Sequence, residues 1–219
     1  MSKILECVFG SKNQYEIGVD ECARGPMFGR LYTAAVILPK DTTFHHEKMK
    51  DSKKIKSRNV MKELSNYIKE NAIAWHIDFV EPEEIDKINI RQAVLKSMRE
   101  SITNVMNKIE SDDVFLVVDG NDFTPYYKKD TLIQHQCVEK GDNTYSFIAA
   151  ASILAKCAHD EYILEICEQH PELQERYHLK ENVGYGTKLH MEGIKTHGIT
   201  QWHRKTYGIC KTAKYSPIE

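Results

Sequence analysis

A chain of 219 residues with 41% hydrophobic and 28% charged side chains is long enough to bury one substantial core and short for two full domains. A formal net charge of −2 excludes a polycation that coats nucleic acid indiscriminately, yet it allows a basic face opposite an acidic pocket. Long apolar windows are all broken by charge, and the opening MSKILECVFGSKNQ lacks the apolar core of a secretory leader, so neither a bilayer span nor a signal peptide is expected. The expectation is one intracellular domain over residues 1–219, with about 1–14 as an N-terminal extension and about 143–219 as a helical C-terminal part of the same domain. Cys7, Cys22, Cys137, Cys157, Cys167 and Cys210 form no Cys-x-x-Cys pair and read as reduced thiols rather than zinc ligands.

Tyr15 to Val19 predicts a strand, and the β-branched, apolar run Arg30 to Leu38 predicts its neighbour, joined through a turn at Gly25-Pro26. The basic run KMKDSKKIKSR follows, then Ser57 as an N-cap for a helix with Val60, Met61, Leu64, Tyr67 and Ile68 on one face. Ile73 to Val80 predicts a third strand. Pro82 suits a first helical turn, and Ile85, Ile88, Val94, Leu95, Met98, Ile102 and Val105 keep helical spacing up to Lys108, in one piece or two. Val114 to Val118 predicts a short buried strand ending on Asp119-Gly120, and Leu132 to Val138 another, reaching Lys140-Gly141-Asp142. From Tyr145 the pattern is helical through SFIAAASILAKCAHDEYILEIC, whose small residues allow close packing on a sheet. Lys195, Arg204, Lys205, Lys211 and Lys214 make the tail basic, which for charge runs in general means a solvated face. Strands interrupted by helices in this order fit α/β with a mixed sheet.

Three predicted strands finish in carboxylates: Asp20-Glu21, Asp119 and Asp142. Acids are disfavoured in strands and costly to bury unpaired. Were neighbouring strands to gather them, a divalent cation would offset their repulsion, and an all-oxygen set favours magnesium or manganese over zinc. Such a cage is the usual layout for two-metal phosphodiester hydrolysis. Ordinary readings stand beside it: Asp-Gly after a strand is a common turn, and Asp20-Glu21 could cap a helix or pair with Arg24. Adjacent strand residues also face opposite ways, so either the strand ends at Asp20 or Glu21 contributes differently from its neighbour.

The residues resemble those of the type 2 ribonucleases H. The family's opening motif is echoed by Val19-Asp20-Glu21-Cys22-Ala23-Arg24-Gly25-Pro26. In family order follow Asp51-Ser52-Lys53-Lys54, Glu84-Ile85-Asp86, Ile88-Asn89-Ile90 and Val118-Asp119-Gly120-Asn121. Lys140-Gly141-Asp142, the block from Ala149 to Lys156, Gly184 to His190 and His203-Arg204-Lys205 complete the series. The resemblance implies a ribonuclease H-like fold, a five-stranded mixed sheet flanked by helices with a C-terminal helical extension. It implies an endonuclease that hydrolyses the RNA strand of RNA/DNA hybrids and cuts 5′ of ribonucleotides embedded in duplex DNA, giving 5′-phosphate and 3′-hydroxyl ends. Asp20, Glu21, Asp119 and Asp142 match the family's catalytic metal ligands for two ions, Mg2+ or Mn2+, with Asp20 shared between them. The resemblance further implies that backbone groups of Ala23, Arg24 and Gly25 bond the ribose 2′-hydroxyl and that Tyr185 packs on the sugar, while Lys53, Lys54, Ser152, Lys156, Thr187 and Lys188 hold phosphates without reading sequence. For Tyr185 the alternative is an ordinary half-buried tyrosine, for Lys156 a snorkelling stem, and for His190 and His203 a structural hydrogen bond rather than a proton shuttle.

Two departures stand out. Ala23 replaces the first glycine of the family's Gly-Arg-Gly, which would cost strain at a positive φ, and His159 replaces an arginine before Asp160. The segment His170 to Asn182 fits less well and is expected as a surface excursion. Type 2 is favoured over type 3, since the motif begins almost at once and Arg24 and Tyr185 are both present. The chain is expected as a cytoplasmic, or nuclear, monomer acting on RNA/DNA hybrid and ribonucleotide-containing duplex DNA, with no membrane partner. Rival readings are another metal-dependent nuclease of the same fold, such as a junction resolvase, and a non-catalytic hybrid-binding module.

Overall fold

The computed structural model describes residues 4–109 and 111–218. In chain order its elements are β1 (Tyr15–Cys22), β2 (Leu31–Ile37), α1 (Arg58–Asn71), β3 (Ala74–Val80), α2 (Pro82–Ile88) and α3 (Ile90–Ile109). There follow β4 (Val114–Asp119), β5 (Tyr126–Lys128), β6 (Thr131–Ile133), β7 (His135–Val138), α4 (Ser146–Gln169), α5 (Pro171–Tyr177), α6 (Leu179–Asn182) and α7 (Lys188–His197). The chain divides into two compact units, one running up to Cys22 and over Tyr32–Asp78 and Leu95–Cys157, the other comprising Ala23–Leu31, Phe79–Val94 and the chain from Ala158 onward.

The first unit is built on a five-stranded mixed sheet ordered β3-β2-β1-β4-β7 and flanked by helices, the ribonuclease H-like arrangement. β1 pairs antiparallel with β2 and parallel with β4, which pairs parallel with β7. Ile17, Val19, Val36, Leu116, Val117 and Val118 are buried in it, as are Ile148, Ala149, Ala150 and Ala151 of α4. Those alanines let the helix backbone approach closely, as the run of small residues predicts. Ser57 caps α1 by accepting the Val60 N–H at 3.4 Å. The periodic stretch after Pro82 forms two helices, because Asn89 adopts φ 67° between them and its side chain accepts the Gln92 N–H at 3.1 Å.

The strand expected over Leu132 to Val138 splits at Gln134. Its first part, β6, pairs with β5 as a hairpin, and β7 alone joins the sheet. The hairpin turn uses Lys129 at φ 54°, a left-handed position that glycine or asparagine would have signalled and lysine conceals.

The core of the second unit gathers Phe28, Ile163, Leu173, Tyr177, Leu179 and Ile194. Residues 170–182 are therefore not a surface excursion: α5 and α6 supply part of this core, with Leu173 and Tyr177 four apart on one helical face. Arg204, read from the sequence as part of a solvated basic tail, is 0% exposed. Among the described residues no helix is long and apolar enough to cross a membrane.

Candidate active site

β1 continues past Asp20 to Cys22, with Asp20 opposite Ala34 and Glu21 opposite Thr33 of β2. The parallel register of β1 with β4 runs to Val19 opposite Val118, so Asp20 and Asp119 stand side by side one residue further and share a face of the pleat. Glu21 takes the alternate face. Asp142 arrives through a tight turn: Asp119 Oδ1 accepts the Gly141 N–H at 2.7 Å and the Asp142 N–H at 3.4 Å. Lys140, at φ 56°, takes a left-handed conformation at the start of that turn.

Electrostatics tie these acids together. Burial pushes the Asp20 carboxyl well above the ordinary carboxylate range, the charges of Glu21 and Asp119 push the same way, and hydrogen bonds from Ser152 and the Glu21 N–H pull it back. Burial and then Asp119 and Asp51 raise Asp142, against a hydrogen bond from Asn143 and the charge of Lys53. Burial opposes the charge on Lys53, but Asp142, Asp20, Asp51 and Asp119 together hold its ammonium above the ordinary lysine range. Asp20 and Asp142 are 5% and 4% exposed. Among the described residues no group of three or more His, Cys, Asp or Glu is arranged to hold a metal ion as it stands.

Sequence reasoning missed what surrounds this cluster. Asn143 Nδ2 donates to Asp142 Oδ1 at 3.0 Å and to Asp51 Oδ2 at 3.2 Å, bracing two acids with one amide. Asp51 caps the short helical turn Ser52–Lys54 through the Lys53 N–H at 2.9 Å, which orients Lys53. The charge pattern of KMKDSKKIKSR conceals this, because only the fold brings Asp51 to Asn143.

In the second unit, Ala23 adopts φ 70°, the conformation for which the family's glycine is suited. The Tyr185 ring lies against Gly25, where an added Cβ would sit 3.4 Å from Tyr185 Cε1. Tyr185 is 45% exposed. Its loop is tightly determined: Val183 and Gly184 have φ 42° and 84°. Buried Asn182 accepts the Gly184 N–H at 2.9 Å and donates to the Tyr177 carbonyl at 2.7 Å, and Met27 N–H donates to the Gly184 carbonyl at 2.8 Å. Only glycine fits at 184, since a Cβ would meet the Phe28 carbonyl oxygen at 2.6 Å.

The ribonuclease HII family model matches residues 17–210 of this chain. The chain belongs to the ribonuclease HII family. Ribonuclease HII of Parabacteroides distasonis is 45% identical over 194 residues, covering 89% of this chain and 90% of that one. That of Bacteroides fragilis is 41% identical over 196 residues, covering 89% of each. Ribonuclease H2 from Pyrococcus horikoshii superposes with a TM-score of 0.72 at 20% identity, covering 90% of this chain and 96% of the other. Ribonuclease HII from Archaeoglobus fulgidus, solved in complex with PCNA, gives 0.67 at 22%, covering 89% and 95%. Bst-RNase HIII, solved with Mn2+, gives 0.62 at 14%, covering 88% and 70%. At these identities the solved structures speak for the fold alone. Membership in the family makes this protein a hydrolytic ribonuclease.

The remaining basic and hydroxyl positions of this ribonuclease HII differ in their surroundings. Ser152 Oγ lies 2.9 Å from Ser52 Oγ and also hydrogen-bonds Asp20, so it serves a cluster acid directly. Lys54 reaches the Asn143 side-chain carbonyl and stands 3.8 Å from Asp51. Lys156 is half-buried within α4. Thr187 caps α7, its hydroxyl accepting the His190 N–H at 3.4 Å, and exposed Lys188 stands 3.9 Å from Glu192.

Proposed function

We propose that this ribonuclease HII hydrolyses the RNA strand of RNA/DNA hybrids and cuts on the 5′ side of ribonucleotides embedded in duplex DNA, leaving 5′-phosphate and 3′-hydroxyl ends. The observation that carries the reading is the shared field of Asp20, Glu21, Asp119 and Asp142, felt in the raised carboxyls of Asp20 and Asp142 and in the raised ammonium of Lys53. An all-oxygen donor set of mutually repelling carboxylates fits hard divalent cations, Mg2+ or Mn2+, and these acids would hold two of them after drawing together. Bound there, such ions supply charge neutralisation at the phosphate and a more acidic water.

The chain's own groups do the rest. Ser152 and the Glu21 N–H keep Asp20 oriented by hydrogen bonding it, and Asn143 does the same for Asp142. Lys53, kept protonated by four acids, presents a cation to a phosphate oxygen. In the other unit, backbone groups of Ala23, Arg24 and Gly25 recognise the 2′-hydroxyl, the group that separates RNA from DNA at one position. Tyr185, partly exposed beside Gly25, packs on the sugar. Lys54, Lys156, Thr187 and Lys188 contribute phosphate contacts that position the duplex.

The test is cleavage of a DNA duplex holding one ribonucleotide, with Mg2+, with Mn2+ and with chelator, beside an all-DNA branched substrate. Cutting 5′ of the ribonucleotide with either ion and none with chelator is expected. Metal-independent cutting, or preference for the branched DNA, overturns the reading.

A further inference from the structure

The second unit contains a polar network that none of the roles above uses. Arg204 is wholly buried and no carboxylate shares a hydrogen bond with it among the contacts described. Its guanidinium donates instead to main-chain carbonyls: Nε to Gly29 at 3.0 Å, Nη1 to Arg24 at 3.1 Å and Nη2 to Ala23 at 2.8 Å. Its own N–H donates to the Met27 carbonyl at 2.8 Å, and Tyr207 Oη donates to the Arg24 carbonyl at 3.0 Å. A buried cation costs several kcal/mol to desolvate, offset here by the charge of Asp86 and by three carbonyls held at once, where a smaller polar residue would hold one.

His203, the preceding residue, reaches the other loop. Thr200 N–H donates to His203 Nδ1 at 3.0 Å, with Thr200 Oγ1 at 2.9 Å from the same atom. His203 Nε2 lies 3.2 Å from His190 Nε2, and His190 Nδ1 lies 2.9 Å from the Tyr185 carbonyl. One assignment of protons satisfies all of these contacts. A carbonyl only accepts, so His190 Nδ1 carries the hydrogen and its Nε2 is bare. His203 Nε2 then donates to it, leaving His203 Nδ1 bare to accept from Thr200. Both rings are neutral in this chain, and burial, which lowers both, keeps them so.

We propose that His203 and Arg204 form one positioning element for ribose recognition, Arg204 setting the peptides of Ala23 to Gly25 and His203, through His190, setting the Tyr185 loop. The trans peptide makes the consequence definite. In each peptide plane the C=O and the following N–H point opposite ways, so drawing the Ala23 and Arg24 carbonyls onto Arg204 turns the Arg24 and Gly25 N–H groups to the side away from it. The element thus orients the donors assigned to the 2′-hydroxyl and, from His203 through His190, the loop whose Tyr185 ring is assigned to the sugar. These are positioning residues: none touches substrate. The inference rests on the ribose-reading role proposed above for Tyr185 and for Ala23 to Gly25.

The experiment compares kcat/KM on two substrates of one sequence, a DNA duplex with a single ribonucleotide and a continuous RNA/DNA hybrid, with melting temperature as the control for folding. Continuous hybrid offers a 2′-hydroxyl at every position and tolerates a displaced reader better. Tyr185→Ala is the reference variant and lowers the single-ribonucleotide to hybrid ratio. Arg204→Lys, which keeps the charge and loses the fork, lowers that ratio about tenfold or more, since small misplacements of recognition groups act steeply. His190→Ala does so about tenfold, His190→Asn, which restores a donor to the Tyr185 carbonyl, recovers most of the ratio, and Tyr207→Phe lowers it about threefold. Should Arg204→Lys fail to fold, the His190 pair and Tyr207→Phe decide. Unchanged ratios in folded Arg204, His190 and Tyr207 variants, or equal losses on both substrates, overturn the inference while a lowered ratio in Tyr185→Ala leaves the ribose-reading role standing. An unchanged ratio in Tyr185→Ala overturns that role and the inference with it.

Discussion

The acid cluster of the first unit and the Arg204 network of the second both bury charge, and they treat it in opposite ways. Asp20 and Asp142 are raised by burial and by the charges of further acids, with the Lys53 ammonium set against them. Arg204 is surrounded by carbonyl oxygens at ordinary hydrogen-bonding distances. A repulsive pocket destabilises the protein that carries it and has value only toward something positive. A saturated one rigidifies its surroundings and has value as scaffold. On the function proposed above, the contrast separates chemistry in one unit from recognition geometry in the other, and substitutions can probe each side of it.

The largest effect is expected for Asp119→Asn. It keeps the side-chain acceptor for the Gly141 N–H and removes one charge from the cluster. Cleavage should fall on the order of a thousandfold or more, while binding of RNA/DNA hybrid, read by fluorescence anisotropy, should change little. A non-catalytic hybrid-binding module would show no such division. Next comes Gly184→Ala, which puts a methyl group against the Phe28 carbonyl at a positive φ. A loss of about 3 kcal/mol is expected by chemical denaturation, with the Tyr185 loop failing before the acid cluster.

Glu16 offers a control outside both regions. Burial would raise its carboxyl, but the Phe9 N–H, the Ser11 hydroxyl and N–H, and Lys40 outweigh that and hold it below the ordinary range; the Gly10 N–H donates to it as well. A folded-state value below the unfolded one adds stability above the unfolded value, and that stability is lost as pH falls through the folded one. Glu16→Gln should cost about 1–2 kcal/mol at neutral pH and less in acid, so its stability curve should approach the parent's as pH falls below the glutamate range. Smallest is Ala23→Gly. Relief of the alanine's positive φ should add about 1 kcal/mol and leave cleavage at a single embedded ribonucleotide equal or higher. A large loss of that cleavage would mark the alanine as an adaptation of the loop.

The strands that carry Asp20, Glu21 and Asp119 were legible because apolar runs that meet acids are rare, and the α/β class followed from their order; β1 in fact runs on to Cys22, and Asp142 lies past β7 in the turn Gly141–Asn143. The ordered blocks led to the family. The hairpin over Tyr126–Ile133 was hidden by a lysine in its turn. α5 and α6 were hidden because Glu, Gln and His outnumber Leu173, Tyr177 and Leu179 in that stretch. Arg204 was hidden by its neighbour Lys205 and a basic tail, since charge pattern alone does not separate an anchored guanidinium from a solvated one. Asp51 with Asn143 and His190 with His203 are pairings across sequence that only the fold creates.

Calorimetric titration of Mn2+ into the intact protein and into its Asp119→Asn and Asp142→Asn forms tests most directly whether the converging carboxylates exist to bind cations. The account predicts saturable binding to the parent protein that is weakened at least tenfold in each variant. Binding of equal strength in all of them, or none in the parent protein, would contradict it.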